Sequence, residues 1–295
     1  MNVISRIQFP QTTETSDLYI KCHDGSSLNL SPEGSTAVLS RNTIVSFNTY
    51  FNSFYEVFYA KYTELNSLHY LLNLQGDFRV FLYRELVKSK NRDILFEESF
   101  ENCQLAEPVK VALPHRWRSE EIGRAYLEIT CLSERGIFSG GCIATHQPKL
   151  REVSLGIITC TFKKETYLRK TVSTILADNS LKEKQYKVFI VDNGMTLKAE
   201  EFENSKVKLI PHKNFGGSGG FTRGLIQALQ ENCYTHLLLM DDDIDLESES
   251  IYRLISVYEY TDQDFVVAGS MLDLYQKNML CDAGSIYCSL GFIYT

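Results

Sequence analysis

Three consecutive carboxylates, Asp241-Asp242-Asp243, follow the apolar run His236-Leu237-Leu238-Leu239-Met240. A buried strand that ends in three acids is costly unless a cation offsets the charge. Hard oxygen donors of this kind select Mg²⁺ or Mn²⁺, which keep coordination positions open for phosphate oxygens. Side chains alternate along an extended chain, so Asp241 and Asp243 share one side and Asp242 takes the other. The expectation is that Asp241 and Asp243 face a metal and a diphosphate, while Asp242 contacts a sugar or the protein. The same run also reads as an acidic turn capping the next helix, because Asp245 and Glu247 continue it.

A second group is Asn214-Phe215-Gly216-Gly217-Ser218-Gly219-Gly220, followed by Phe221-Thr222-Arg223. Glycines in this density let backbone pass close to a ligand, and a helix N-terminus just after them favours an anion. Arg223 would add charge in the first turn. No Gly-Lys-Ser/Thr follows, so this is not a Walker loop, and it does not fit the dinucleotide glycine pattern after a first strand. The plain alternative is a flexible turn. Two strand ends complete the set. Thr159-Cys160-Thr161-Phe162-Lys163-Lys164 offers a ring beside a base and cations near phosphate. Asp192-Asn193-Gly194 offers a carboxylate for a base N–H or a ribose hydroxyl, although an Asn-Gly turn accounts for that tripeptide without function.

These residues need a scaffold that brings them to one edge. From 149 onward, strands at 154–161, 186–192, 207–210, 235–243 and 264–272 alternate with helices at 167–178, 221–233 and 251–260. That alternation implies a mostly parallel, doubly wound sheet, whose strand ends converge along one rim. Residues 1–148 read instead as β. Turn residues at Asp24-Gly25 and Pro32-Glu33-Gly34 separate short aromatic and β-branched runs, residues 68–85 suggest a hairpin around Gly76, and further strands fall at 94–96, 108–113, 125–132 and 137–144. This grammar suggests a sandwich or jelly roll. Its aromatic stretch 47–63 suits either a sugar-binding surface or core packing. A chain of 295 residues accommodates both domains.

The net charge of −7 gives no reason to expect nucleic acid. The start lacks a secretory signal and no apolar run is long enough to span a bilayer, so a cytoplasmic protein is expected. A peripheral contact with the inner face of the cell membrane stays open, as does self-association. The eight cysteines are scattered without a CxxC pair and read as reduced core residues.

At these positions the chain resembles the inverting GT-A glycosyltransferases of family 2, above all bacterial galactofuranosyltransferases that use UDP-galactofuranose. The residues that carry the resemblance are 159–176, 189–194, 214–224, 237–244 and 269–274, with 48–55 and 78–85 in the β-rich half. It implies an α/β GT-A (Rossmann-like) domain over 149–295, preceded by an all-β sandwich or jelly-roll domain over 1–148 that binds glycan or acceptor. It implies a UDP-sugar donor, a glycan acceptor, free or lipid-linked, and Mn²⁺ or Mg²⁺ as cofactor. Carried over by position, the nucleotide-sugar site comprises Thr161, Phe162, Lys164, Asp192, Asn214, Gly216, Gly217, Gly220, Arg223, Asp241 and Asp242, and the metal site Asp241 and Asp243. Lys164 stands where arginine is common, which removes a planar bidentate fork. The family's general base belongs to a Trp-acid-Asp motif downstream of the acids. The single tryptophan here is Trp117, so that base is expected beyond Thr295 and the chain alone is expected to turn over weakly. Competing readings are a transferase of the same fold using dTDP-rhamnose or a UDP-hexose, and a non-catalytic glycan-binding protein.

Overall fold

The computed structural model describes residues 1–23, 29–31, 34–86, 91–114, 123–282, 285–288 and 291–294. The turns expected at Asp24-Gly25 and Pro32-Glu33, and Trp117, lie outside the described residues. The chain divides into two compact units, Met1–Leu150 with Tyr260–Thr295, and Arg151–Glu259. Residues 260–295, expected with the second domain, group with the first unit.

The first unit is antiparallel β. Its organising element is one strand of 19 residues, Leu68–Leu86. The hairpin expected at Gly76 is absent, because the chain runs straight through that glycine. Gly76 has φ +105°, a conformation side chains rarely adopt, and a Cβ there would meet Ser133 Oγ at 3.0 Å. The ladder register shifts between Gly76 and Phe78, so the glycine makes a bulge rather than a turn. Before it, the strand pairs with Val109–Leu113 and Arg135–Thr145. After it, the partners are Arg92–Cys103 and Gly123–Cys131. Alternate residues Tyr70, Leu72, Leu74 and then Phe78, Val80, Leu82 are buried, as a two-residue period requires.

The aromatic stretch divides. Phe47, Phe54 and Tyr59 are core, while Phe58 is 58% exposed. Glu56, at the start of the helix Glu56–Tyr62, accepts two 2.6 Å hydrogen bonds from the buried Arg84 guanidinium. The strand expected at 264–272 does not form. Only Met271–Leu272 enters a ladder, with Leu280–Asp282, and Val266 is 95% exposed. An apolar run makes a strand only where a sheet edge takes it up. All seven cysteines with described side chains are free thiols, but only Cys131 is buried, so most are not core.

The second unit carries the parallel sheet. Its elements are β1 (Ser154–Thr161), α1 (Glu165–Ala177), β2 (Gln185–Asp192), β3 (Val207–Pro211), α2 (Gly216–Glu231), β4 (His236–Met240) and α3 (Glu249–Glu259). The strand order is β3-β2-β1-β4, with Thr161 beside Asp192 and Asp192 beside Pro211. The order therefore reverses between β1 and β4, the switch point at which open α/β sheets bind ligands. Ile157, Ile158, Phe189, Ile190 and Val191 are fully buried, as strands covered on both faces require.

Helix α2 starts at Gly216, not at 221, so the expected glycine loop is the helix's own first turns. Gly220 and Gly224 explain why glycine is tolerated there despite its poor helix propensity. A Cβ at Gly220 would lie 2.0 Å from Cys160 Sγ, and one at Gly224 would lie 2.4 Å from Ile158 Cγ2. With Ala228 they are buried against the sheet, so the helix axis comes close to β1. Phe221 and Leu225 pack on the neighbouring core.

Candidate functional site

The carboxyl edge of the parallel sheet gathers the residues singled out above. Strand β4 ends at Met240, so Asp241–Asp243 lie just past it. Asp241 and Asp243 are exposed and Asp242 is half-buried, on a chain that bends at Asp242 and Asp243. Lys164 Nζ, at the start of α1, lies 3.4 Å from Asp243 Oδ2, which joins the ends of β1 and β4 across the switch point. Phe162 is exposed. Between it and Lys164, Lys163 adopts φ +59°, an uncommon conformation for a residue with a side chain. The Lys163 ammonium stands 5.1 Å from the Phe162 ring centre.

Asp242 is the electrostatically uncomfortable member. Burial raises its pKa above the ordinary carboxylate value. The nearby Thr161 hydroxyl works the other way, and the charges of Asp243 and Asp241 raise it again. The hydroxyl does not reach good hydrogen-bond geometry, so Thr161 Oγ1 and Asp242 Oδ2 are both buried without a partner. Thr159 Oγ1, two residues back on the same face of β1, is likewise unpartnered. Native proteins rarely leave buried polar atoms unsatisfied, so a cluster of them calls for an explanation.

Asp192 is 1% exposed. Its Oδ1 accepts the Gly194 N–H at 2.9 Å, and its Oδ2 accepts Thr196 N–H at 2.7 Å and Leu197 N–H at 2.8 Å. The carboxylate thus folds the loop that follows β2, and most of its acceptor capacity is used within the protein. Asn214 is exposed, and its Oδ1 accepts the Gly216 N–H at 2.9 Å. Gly216, with φ +73°, and Gly217 both have open space where a Cβ would sit, whereas Gly220 is a packing residue. Arg223 is half-buried and its Nη2 donates to Gln227 Oε1 at 3.2 Å.

Two residues with structural roles at this edge were given no role of their own from the sequence. Asn193 is buried and donates from Nδ2 to the Gly216 carbonyl at 3.0 Å and to Cys160 Sγ at 3.2 Å. His212, just past β3, has its Nδ1 2.9 Å from Asn193 Oδ1. Their position immediately after a parallel strand was the available signal.

Among the described residues no group of three His, Cys, Asp or Glu side chains is arranged to hold a metal by itself. Mg²⁺ and Mn²⁺ sites that serve phosphate substrates need only one or two carboxylates, the rest coming from water and phosphate. Two exposed carboxylates, those of Asp241 and Asp243, fit that description.

Comparison with known proteins finds matches to two family models. Residues 156–277 match the domain described as Glycosyl transferase family 2, and residues 4–144 match Galactofuranosyltransferase 2 N-terminal. The chain is galactofuranosyltransferase-like. Its second half carries the family 2 domain, which implies a GT-A α/β fold. It is 25% identical over 311 residues to Galactofuranosyltransferase GlfT2 of Mycobacterium tuberculosis, covering 100% of this chain and 48% of that protein. It is 25% identical over 310 residues to GlfT2 of Mycolicibacterium smegmatis, covering 100% of this chain and 47% of that one. The chain therefore spans about half the length of the curated relatives it matches. The xylan-binding domain of Paenibacillus barcinonensis Xyn10C aligns at 8% identity with a TM-score of 0.29, over 48% of this chain and 96% of that domain, an overlap too loose to establish a shared fold. No helix among the described residues is long and apolar enough to cross a membrane.

Proposed function

We propose that this galactofuranosyltransferase-like protein is an inverting glycosyltransferase that transfers galactofuranose from UDP-galactofuranose to a glycan acceptor in cell-surface polysaccharide synthesis. The observation that carries the reading is the set of buried, unpartnered polar atoms of Thr161 and Asp242 at the switch point, beside the exposed carboxylates of Asp241 and Asp243. The names of the two mycobacterial relatives support the sugar, and the family 2 domain supports the chemistry.

The residues divide the donor between them. Phe162 and the loop folded by Asp192 take the nucleoside end. The open backbone at Gly216 and Gly217, at the start of α2, takes the diphosphate, with Asn214 and Arg223 close in sequence on either side. Lys164 holds its charge beside Asp243 and next to that diphosphate. Asp241 and Asp243 would hold the divalent ion, Mn²⁺ or Mg²⁺, which when bound neutralises charge on the leaving diphosphate. The acceptor hydroxyl oxygen attacks the anomeric carbon, the carbon–oxygen bond to the diphosphate breaks, and the diphosphate departs with the electron pair. One such displacement inverts the anomeric centre. The base that takes the acceptor proton is not assigned to a residue of this chain. The β-rich first unit is proposed as the sandwich that engages the acceptor glycan.

The test is calorimetry of UDP with and without Mn²⁺. Replacing Asp241 and Asp243 together by Ala should weaken metal-dependent binding by about 100-fold, roughly 3 kcal/mol. Binding that is unchanged in the double variant, or that ignores Mn²⁺ in the wild type, overturns the site.

A further inference from the structure

We propose that Asn193 is a positioning residue for the diphosphate end of the donor, acting with His212 as a clasp that aims one backbone N–H at the phosphate. The proposal rests on the nucleotide-sugar reading and names a residue that reading did not use. Asn193 is 6% exposed, and its side chain ties three segments together: Cys160 near the end of β1, His212 beyond β3, and Gly216 at the start of α2. A carbonyl only accepts, so the Asn193 group facing Gly216 is its NH₂ and the group facing His212 is its oxygen. The hydrogen between Asn193 and His212 therefore sits on His212 Nδ1.

This arrangement adds a side-chain hold on the direction of the next backbone N–H, which the first turn of α2 already orients. In a trans peptide the C=O and the N–H that follows it point in opposite directions. The Gly216 carbonyl points inward to the buried Asn193, so the Gly217 N–H points outward. That N–H lies in the first turn of α2, where no helical carbonyl is available to it. Nothing lies within 4 Å of the Cβ positions of Gly216 or Gly217, so side-chain packing does not hold this peptide. Besides the first turn of the helix itself, Asn193 holds this peptide by the Gly216 carbonyl, and Asn214 holds the preceding peptide by the Gly216 N–H. Gly220 protects the clasp from below, since a Cβ there would lie 3.1 Å from Asn193 Nδ2.

The experiment compares UMP with UDP, each with Mn²⁺, on the full chain. Asn193→Asp keeps the shape and the oxygen that faces His212, but replaces the donor to Gly216 with an acceptor. Asn193→Ser removes the same donor without adding charge. Both should weaken UDP about tenfold, the loss expected for one aimed hydrogen bond, while changing UMP by less than about twofold. His212→Asn, whose amide can reproduce the Nδ1 donor, should retain the wild-type UDP-to-UMP ratio, and His212→Leu should lower it. A general structural defect would weaken both nucleotides alike. Equal losses for UMP and UDP, or an unchanged ratio in both Asn193 variants, overturn the clasp while leaving the donor site standing. A wild-type chain that binds neither nucleotide overturns the donor site and the clasp with it.

Discussion

The two edges of the parallel sheet handle charge in opposite ways. At the amino edge, Glu231 ends α2 and accepts hydrogen bonds from Lys208 at 2.8 Å, Tyr234 at 2.8 Å and Lys187 at 3.2 Å. Burial alone would favour its neutral form, but those donors outweigh burial and hold its carboxyl at about 2. Burial and then acceptance by Glu231 push the Tyr234 phenol well above its usual value. Nearby, Lys184 and Glu259 pair at 2.8 Å, both almost fully buried. At the carboxyl edge the carboxyl of Asp242 is pushed the other way, and buried oxygens lack partners. The amino edge has its ionic groups satisfied from within. At the carboxyl edge Asp192 is satisfied from within, but Asp242, Thr161 and Thr159 are left in deficit, which is the condition of a surface whose missing partners arrive from outside.

The contrast can be broken or sharpened by substitution. The largest effect is expected at Gly220→Ala, whose new methyl group meets Cys160 Sγ at 2.0 Å. Overpacking of this kind costs about 1–3 kcal/mol, read by urea unfolding. A neutral result would mean the carboxyl edge is loosely built and its unpartnered atoms are accidental. Next comes Glu231→Gln, expected to cost about 1–2 kcal/mol at neutral pH. Because folding lowers this pKa from 4.5 to about 2, the stabilisation is present above pH 4.5 and lost as pH falls toward 2. The difference between wild type and variant should therefore close across that window in acid unfolding series, and a difference that persists at pH 2 would remove the ion-pair account. The smallest effect is expected at Asp242→Asn. Folding raises the Asp242 pKa above 3.8, so its carboxyl favours the fold below pH 3.8 and penalises it as pH rises through the folded value. The neutral amide should raise the melting temperature at pH 7 by about 1–3 °C, while Mn²⁺-dependent UDP binding weakens. A fall in melting temperature would make Asp242 a structural acid like Glu231.

The strand ends of the second unit were legible because chemistry and periodicity coincide there. An apolar run followed by Asp241-Asp242-Asp243, or by Thr161-Phe162-Lys163-Lys164, announces both a strand and its exit. The glycine run was harder. Read locally, 214–220 is a loop, yet Gly220 and Gly224 are separated by one helical turn and sit against Cys160 and Ile158, which face the same side of β1. Close approach of helix to sheet overrides propensity, and no single-residue preference reports that. The long strand through Gly76 looked like a hairpin for a related reason: a glycine marks a backbone exception without saying whether the chain turns or bulges. At 264–272 the apolar run promised a strand that forms no ladder over most of its length. The ties made by Asn193, His212 and Glu231 join residues far apart in sequence, and only the sheet order brings them together.

The strand Leu68–Leu86 also has a mechanical consequence for the first unit. It belongs to the ladders on both sides of Gly76, so each group of partner strands is stitched to the other by continuous backbone and not by a linker. Peeling Arg92–Cys103 from one half loosens the template on which Arg135–Thr145 lies in the other. The two halves should therefore unfold as one cooperative block, and a nick in the chain at the Gly76 bulge should cost more than a cut in a surface loop.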